Sequence, residues 1–215
     1  MNTTSKTIKL KVCGMKDPEN IRQLAALHPD YMGFIFWPQS PRFFDGKLPV
    51  LPDTLKKTGV FVNAVLETIV SLTEKYQLQA LQLHGQESPE LCRQLKTHPA
   101  TQHTELIKVF SINETFKAEA IAPYETVCDY FLFDTKGKLP GGNGTAFNWE
   151  VLQDYPSKKP FFLSGGIGPE AIVHIKDILK TTLPVYAIDV NSKFEVRPGV
   201  KNITQLERFK TALLQ

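Results

Sequence analysis

Ionisable residues and glycines gather at one kind of place in this sequence, directly after short apolar runs. Cys13-Gly14 follows Ile8 to Val12. Ser40-Pro41-Arg42 comes soon after Tyr31 to Phe36, and Asn63 ends the run Gly59 to Val62. His84-Gly85 follows Ala80 to Leu83, and Asp134-Thr135 follows Tyr130 to Phe133. A thiol, an imidazole and a carboxyl group are the side chains that move protons near neutral pH. Each also has a quieter reading. Cys13 can be a small buried hydrophobe, His84 a hydrogen-bonded histidine on a rim, Asp134 a loop cap and Arg42 a solvated cation. An acid at the end of so apolar a run as Tyr130 to Phe133 can equally be a general acid or base in a low-dielectric pocket.

Three further segments have the composition of an anion cradle. Ser164-Gly165-Gly166-Ile167-Gly168-Pro169 leads from an apolar run into a helix signal. Asp189-Val190-Asn191-Ser192 follows the last run, and Gly141-Gly142-Asn143-Gly144-Thr145 follows the sixth. Glycine lets backbone N–H groups approach a ligand closely, and a helix N-terminus favours negative charge. One such loop can be only a tight turn. Three after neighbouring runs favour phosphate binding, with Gly142, Gly144, Gly165, Gly166, Asp189, Asn191 and Ser192 as the candidate residues.

The elements that must carry these residues follow from the spacing. The eight runs are Ile8–Val12, Tyr31–Phe36, Gly59–Val62, Ala80–Leu83, Leu106–Phe110, Tyr130–Phe133, Phe161–Leu163 and Val185–Ile188. Most lack period-two alternation, as strands covered on both faces do. Helix signals lie between them: Asp17-Pro18-Glu19, Ser88-Pro89-Glu90, Pro169-Glu170, and Asn202 with Gln205 before a last helix over Ile203 to Leu214. A second helix near Leu51 to Leu55 completes strict alternation. The pattern predicts an α/β fold with a parallel sheet. Eight units suggest a closed (β/α)8 TIM barrel, and an open doubly wound sheet competes with it. In a barrel the active site lies at the C-terminal ends of the strands, where the polar residues above are found.

Length and composition narrow the class. The 215 residues make one domain, residues 1–215, with 42% hydrophobic and 22% charged residues. The net charge of +3 comes without a basic block, so no nucleic-acid partner is expected. No run approaches the ~18 apolar residues of a spanning helix, so no membrane partner is expected. The opening MNTTSKTIKLKVCG lacks the layout of a signal peptide. The 3 cysteines, Cys13, Cys92 and Cys128, have neither disulfide nor zinc spacing, which fits a reducing cytoplasm. Cys92 and Cys128 read as structural.

Taken in order, the motifs resemble those of the phosphoribosylanthranilate isomerase family of tryptophan biosynthesis. They are Lys11-Val12-Cys13-Gly14, Gly33 to Arg42, Gly59 to Asn63, Leu81 to Gly85, Phe133-Asp134-Thr135, Gly141 to Trp149, Leu163 to Gly166, Asp189 to Ser192 and Pro198-Gly199-Val200-Lys201. The resemblance implies an Amadori rearrangement of N-(5-phosphoribosyl)anthranilate, a small phosphorylated substrate, with no metal or organic cofactor. It implies Asp134 as the general acid on the furanose oxygen and Cys13 as the base at the adjacent sugar carbon. It also implies Arg42 on the anthranilate portion and backbone at Gly165, Gly166, Asn191 and Ser192 on phosphate. His84 falls in the pocket motif without an assigned role. A monomer or a homodimer is expected. Asn148, Ala171, Asn191, Lys193 and Phe194 depart from the residues common in the family; a lysine at 193 would be strained if that position needs positive φ. A barrel isomerase of histidine biosynthesis would carry aspartate in place of Cys13. An inactive scaffold barrel would be expected to lack Cys13 or Asp134.

Overall fold

Short apolar strands without alternation need cover on both faces, and a barrel inside a ring of helices supplies it. The computed structural model describes residues 8–112, 118–135 and 149–215. The candidate phosphate residues Gly142 and Gly144 lie outside that set. Eight parallel strands close into one barrel in chain order. They are β1 (Lys9–Val12), β2 (Tyr31–Ile35), β3 (Lys56–Phe61), β4 (Ala80–Leu83), β5 (Glu105–Ile112), β6 (Tyr130–Thr135), β7 (Phe161–Ser164) and β8 (Val185–Val190). Pairing of β8 back onto β1, with Lys11 opposite Asp189, rules out the open sheet.

Helices α1 (Pro18–Ala25), α2 (Leu66–Tyr76), α3 (Pro89–Thr97), α4 (Ala118–Ile121), α5 (Ile172–Leu179) and α6 (Ile203–Leu214) pack outside. Their starts are set by local chemistry. The Asp17 carboxylate accepts from Asn20 N at 2.8 Å, the Ser88 hydroxyl from Leu91 N at 3.2 Å, and the Asn202 amide oxygen from Gln205 N at 3.1 Å. Pro169 opens a 3₁₀ turn ahead of α5. No helix in this chain forms at Leu51 to Leu55. Pro38, Pro41, Pro49 and Pro52 deprive that stretch of backbone donors and favour extended residues before each proline. Buried Phe44 takes over the covering role, packed on Phe34 and Tyr76 at ring distances of 5.0 and 5.5 Å. A hairpin of β9 (Glu195–Arg197) and β10 (Val200–Lys201) follows β8, which the apolar runs do not foreshadow.

Alternation along each strand divides the interior in two. Leu10, Val12, Met32, Phe34, Phe131 and Phe133 turn outward to the helices. Tyr31, Ala80, Ile107, Leu132, Phe162 and Ala187 fill the barrel itself. At its lower end the Tyr31 hydroxyl donates to Glu105 at 2.8 Å, and Tyr130 stacks on Tyr186 at 4.5 Å. No helix among the described residues is long and apolar enough to cross a membrane.

The loop after β4 is braced by a buried ion pair. Glu87 accepts from the Lys108 ammonium at 2.9 Å and from the backbone N–H groups of Asn63 and Gly85. Both side chains are all but sealed from water. Glu87→Ala should therefore leave Lys108 without its counter-charge and cost about 3–5 kcal/mol, read as a lower midpoint in urea unfolding. Glu87→Gln, which keeps an acceptor, should lose less; equal stability of all three proteins would remove the brace.

Candidate active site

Lys11 and Cys13 are two residues apart at the end of β1, so they share the inward face of the strand. Cys13 is buried against the backbone of Gly33 on β2: a Cβ added to Gly33 would lie 2.6 Å from its sulfur. Lys11 is fully enclosed, and its ammonium donates to Asp189 of β8 at 2.7 Å. The other Asp189 oxygen accepts from the Ser164 hydroxyl of β7 at 3.2 Å. Burial pulls the Lys11 ammonium down, but Asp189, together with the neighbouring Cys13, outweighs it and leaves the ammonium favoured. Burial raises the Cys13 thiol above its ordinary range; Lys11 works against that, the Asp189 carboxylate adds to it, and Lys201 opposes it more weakly.

Across the barrel mouth stand Gln82, His84 and Asp134. Gln82 and His84 are again two apart, on the inward face of β4, and the Gln82 amide nitrogen lies 3.0 Å from His84 Nδ1. With that nitrogen donating, the ring proton sits on Nε2, which faces an Asp134 carboxylate oxygen at 3.3 Å. The Gln82 carbonyl oxygen is buried with no hydrogen-bond partner among the described residues. Asp134 is the last residue but one of β6 and pairs in register with Ser164.

Cys13, Gln82, His84, Asp134, Ser164, Gly165, Gly166, Asp189, Asn191 and Ser192 all line one cavity of about 170 Å³. Gly165 and Gly166 have φ of 95° and 63°, and a Cβ on Gly166 would meet only open space. Glycine alone adopts both conformations without strain and leaves the turn free of side-chain bulk, so a ligand can approach the backbone closely. Lys193 is exposed and is not among the residues with positive φ, so its replacement of a common glycine carries no backbone strain. Phe194 is buried against Phe209 of α6, at a ring distance of 4.9 Å.

Arg42 does not line that cavity. Its stem passes over Gly14, where an added Cβ would lie 2.7 Å from both Arg42 Cδ and Asn191 Oδ1. Its guanidinium meets the Glu195 carboxylate on β9, with Nη2 donating at 2.6 Å and Nε at 2.9 Å. The fully enclosed Lys201 of β10 donates to Glu195 at 2.6 Å and to Asn191 Oδ1 at 2.7 Å. Burial alone would raise Glu195, but the hydrogen bonds from Arg42 and Lys201 hold its carboxyl below the usual range. Lys11, Gln82 and Lys201 fall inside motifs of the resemblance without a role of their own, and Glu195 lies outside them. Lys11 and Gln82 are polar residues inside apolar strands, each two before a candidate site residue.

A thiol, an imidazole and a carboxyl group thus meet at one rim cavity of a closed (β/α)8 barrel, an arrangement capable of acid–base chemistry. The family model described as N-(5'-phosphoribosyl)anthranilate (PRA) isomerase matches residues 10–212. The N-(5'-phosphoribosyl)anthranilate isomerase of Phocaeicola vulgatus is 42% identical, over 96% of this chain and 98% of its own. The phosphoribosyl anthranilate isomerase crystal structure from Thermotoga maritima superposes with a TM-score of 0.80 at 29% identity, covering 96% of this chain and 98% of that one. A phosphoribosyl anthranilate isomerase in complex with reduced 1-(o-carboxyphenylamino)-1-deoxyribulose 5-phosphate superposes at 0.75 with 27% identity, over 96% and 98% of the two chains. The chain belongs to the N-(5'-phosphoribosyl)anthranilate isomerase family.

The position of Lys11 under Cys13 makes a pH prediction. Its charge favours the thiolate, so Lys11→Met should move the thiol titration further to alkaline pH. In a background with Cys92 and Cys128 as alanine, iodoacetamide alkylation of Cys13 at pH 7 should slow by on the order of tenfold or more. An unchanged alkylation profile would show that the ammonium has no bearing on the thiol.

Proposed function

We propose that the chain isomerises N-(5'-phosphoribosyl)anthranilate to 1-(2-carboxyphenylamino)-1-deoxyribulose 5-phosphate in tryptophan biosynthesis. The observation that carries this reading is the convergence of Cys13, His84 and Asp134 with the Gly165-Gly166 turn on one small cavity. The ligand in the related complex, a carboxyphenylamino-deoxyribulose phosphate, has the groups that such a cavity would serve.

The reaction needs a proton delivered to the furanose ring oxygen as its bond to C1 breaks, leaving an iminium to the anthranilate nitrogen. It then needs the C2 proton removed, and the resulting enolamine tautomerises to the ketone. Asp134 supports the first step as general acid, oriented by the His84 ring that Gln82 holds. Cys13 supports the second as base, and the Lys11 ammonium beneath it stabilises the thiolate that the step requires. The two groups belong to opposite walls of the cavity, so each can reach its own atom of one sugar. Backbone at Gly165, Gly166, Asn191 and Ser192 is suited to the phosphate, and Arg42 to the anthranilate carboxylate. Asp189 acts at one remove by holding Lys11.

Anthranilate fluorescence after addition of phosphoribosylanthranilate tests the activity directly. Cys13→Ala and Asp134→Asn should each lower kcat by a factor on the order of 10²–10⁴ with little change in thermal melting. Robust turnover by Cys13→Ala would eliminate the thiol as base. Gly166→Asp places a carboxylate in the open space at the turn, and KM should rise steeply while the fold is retained. An unchanged KM would move the phosphate elsewhere.

A further inference from the structure

Arginine has two edges that can each hold a carboxylate in a bidentate pair: Nε with Nη2, and Nη1 with the second proton of Nη2. In this protein the first edge is already taken. Nη2 and Nε of Arg42 both donate to Glu195, at 2.6 and 2.9 Å, and Nε also lies 3.0 Å from the second Glu195 oxygen. Glu195 is itself held from below. Its Oε1 accepts from the Lys201 ammonium at 2.6 Å and from Gly199 N at 3.1 Å. Only 5% of the Glu195 side chain and none of Lys201 is exposed, whereas 20% of Arg42 is. The Glu195 carboxylate is thus the anchor, and Arg42 the more exposed member of the pair. Lys201 offsets the charge of Glu195, so two cations against one carboxylate leave the corner with a net positive charge. That keeps it attractive to an incoming anion despite the internal ion pair.

We propose that Glu195 is a specificity-determining positioning residue: by occupying the inner edge of Arg42 it fixes the outer edge toward a carboxylate on the aromatic amine of the substrate. The proposal rests on the functional reading above, in which Arg42 meets the anthranilate carboxylate. A free arginine at the tip of the Ser40-Pro41-Arg42 turn would sample many rotamers and lose that freedom on binding. Clamped by Glu195, with its stem seated over Gly14 beside Cys13, it has little left to lose. The hairpin β9–β10 then has a chemical purpose: it delivers Glu195, Gly199 and Lys201 to one point.

The test compares two substrates, N-(5'-phosphoribosyl)anthranilate and its analogue from aniline, which lacks the carboxylate. Glu195→Gln should raise KM for the first by on the order of 10–100-fold while kcat falls much less. KM for the aniline analogue should stay the same. Glu195→Asp should recover part of the loss. If Glu195→Gln folds poorly because Lys201 is left unpaired, the double variant Glu195→Gln/Lys201→Met removes both charges; it should lower kcat alike on both substrates, because Lys201 favours the Cys13 thiolate, and still raise KM only for the substrate with the carboxylate. Equal rises in KM for the two substrates, or a loss in kcat alone, would overturn the proposal. Arg42→Ala separates the two levels of inference. If it does not discriminate between the substrates, the assignment of Arg42 to the carboxylate fails. If it does discriminate and the Glu195 variants do not, only the clamp fails.

Discussion

A lysine ammonium sealed inside a barrel is tolerable only next to a carboxylate, and the Lys11–Asp189 pair at 2.7 Å is the interaction on which the site turns. The pair spans the seam where β8 meets β1, so the charge pair sits at the closure of the barrel. Its desolvation cost is partly met by good geometry and by the Ser164 hydroxyl on the second Asp189 oxygen. The same arrangement sets a positive charge one layer beneath Cys13. Burial makes a thiolate hard to form, and a neighbouring ammonium is the direct remedy. The contact that closes the fold therefore also places the charges nearest the Cys13 thiol, an ammonium that favours its thiolate and a carboxylate that opposes it.

The loops above that layer are disciplined in a common way, by buried carboxylates that gather donors from more than one element. Glu87 ties the loops after β3 and β4 to Lys108 of β5. Glu195 ties the loop after β2, through Arg42, to the hairpin after β8. Each carboxylate accepts backbone N–H groups as well as a cation, so the loop conformation and the ion pair support one another. Among the described residues, the loops after β2, β3 and β4 and the hairpin after β8 are thus pinned near the cavity mouth.

Much of this was legible in the residues. The apolar runs mark all eight strands because strands enclosed on both faces cannot afford polar positions over most of their length. Their ends were harder to place. β3 begins at Lys56-Lys57-Thr58 and β8 runs on to Asp189-Val190, since near the barrel ends inward positions tolerate charge. The segment before β3 shows the reverse error: the alternation rule demands a helix there, while four prolines forbid it and Phe44 does its packing. Of the site, Cys13, His84, Asp134, Gly165, Gly166, Asp189, Asn191 and Ser192 were found by position after the strands, and they meet at one cavity. Glu195 and Lys201 were not legible as a clamp, because a glutamate and a lysine six residues apart look like ordinary surface charges until a hairpin folds them inward.

Part of the surroundings of Cys13 comes from the opposite end of the polypeptide. Lys11 and Asp189 are separated by 178 residues, and Lys201 lies farther on. Contacts so distant in sequence form late, after the loop-closure cost of the intervening chain has been met. During synthesis the thiol emerges early without its cation pair complete, and its proper surroundings arrive only with the final strand and hairpin. Half-made chains therefore carry Cys13 outside its enclosed pocket, and its burial beside the Lys11–Asp189 pair comes only with completion of the barrel.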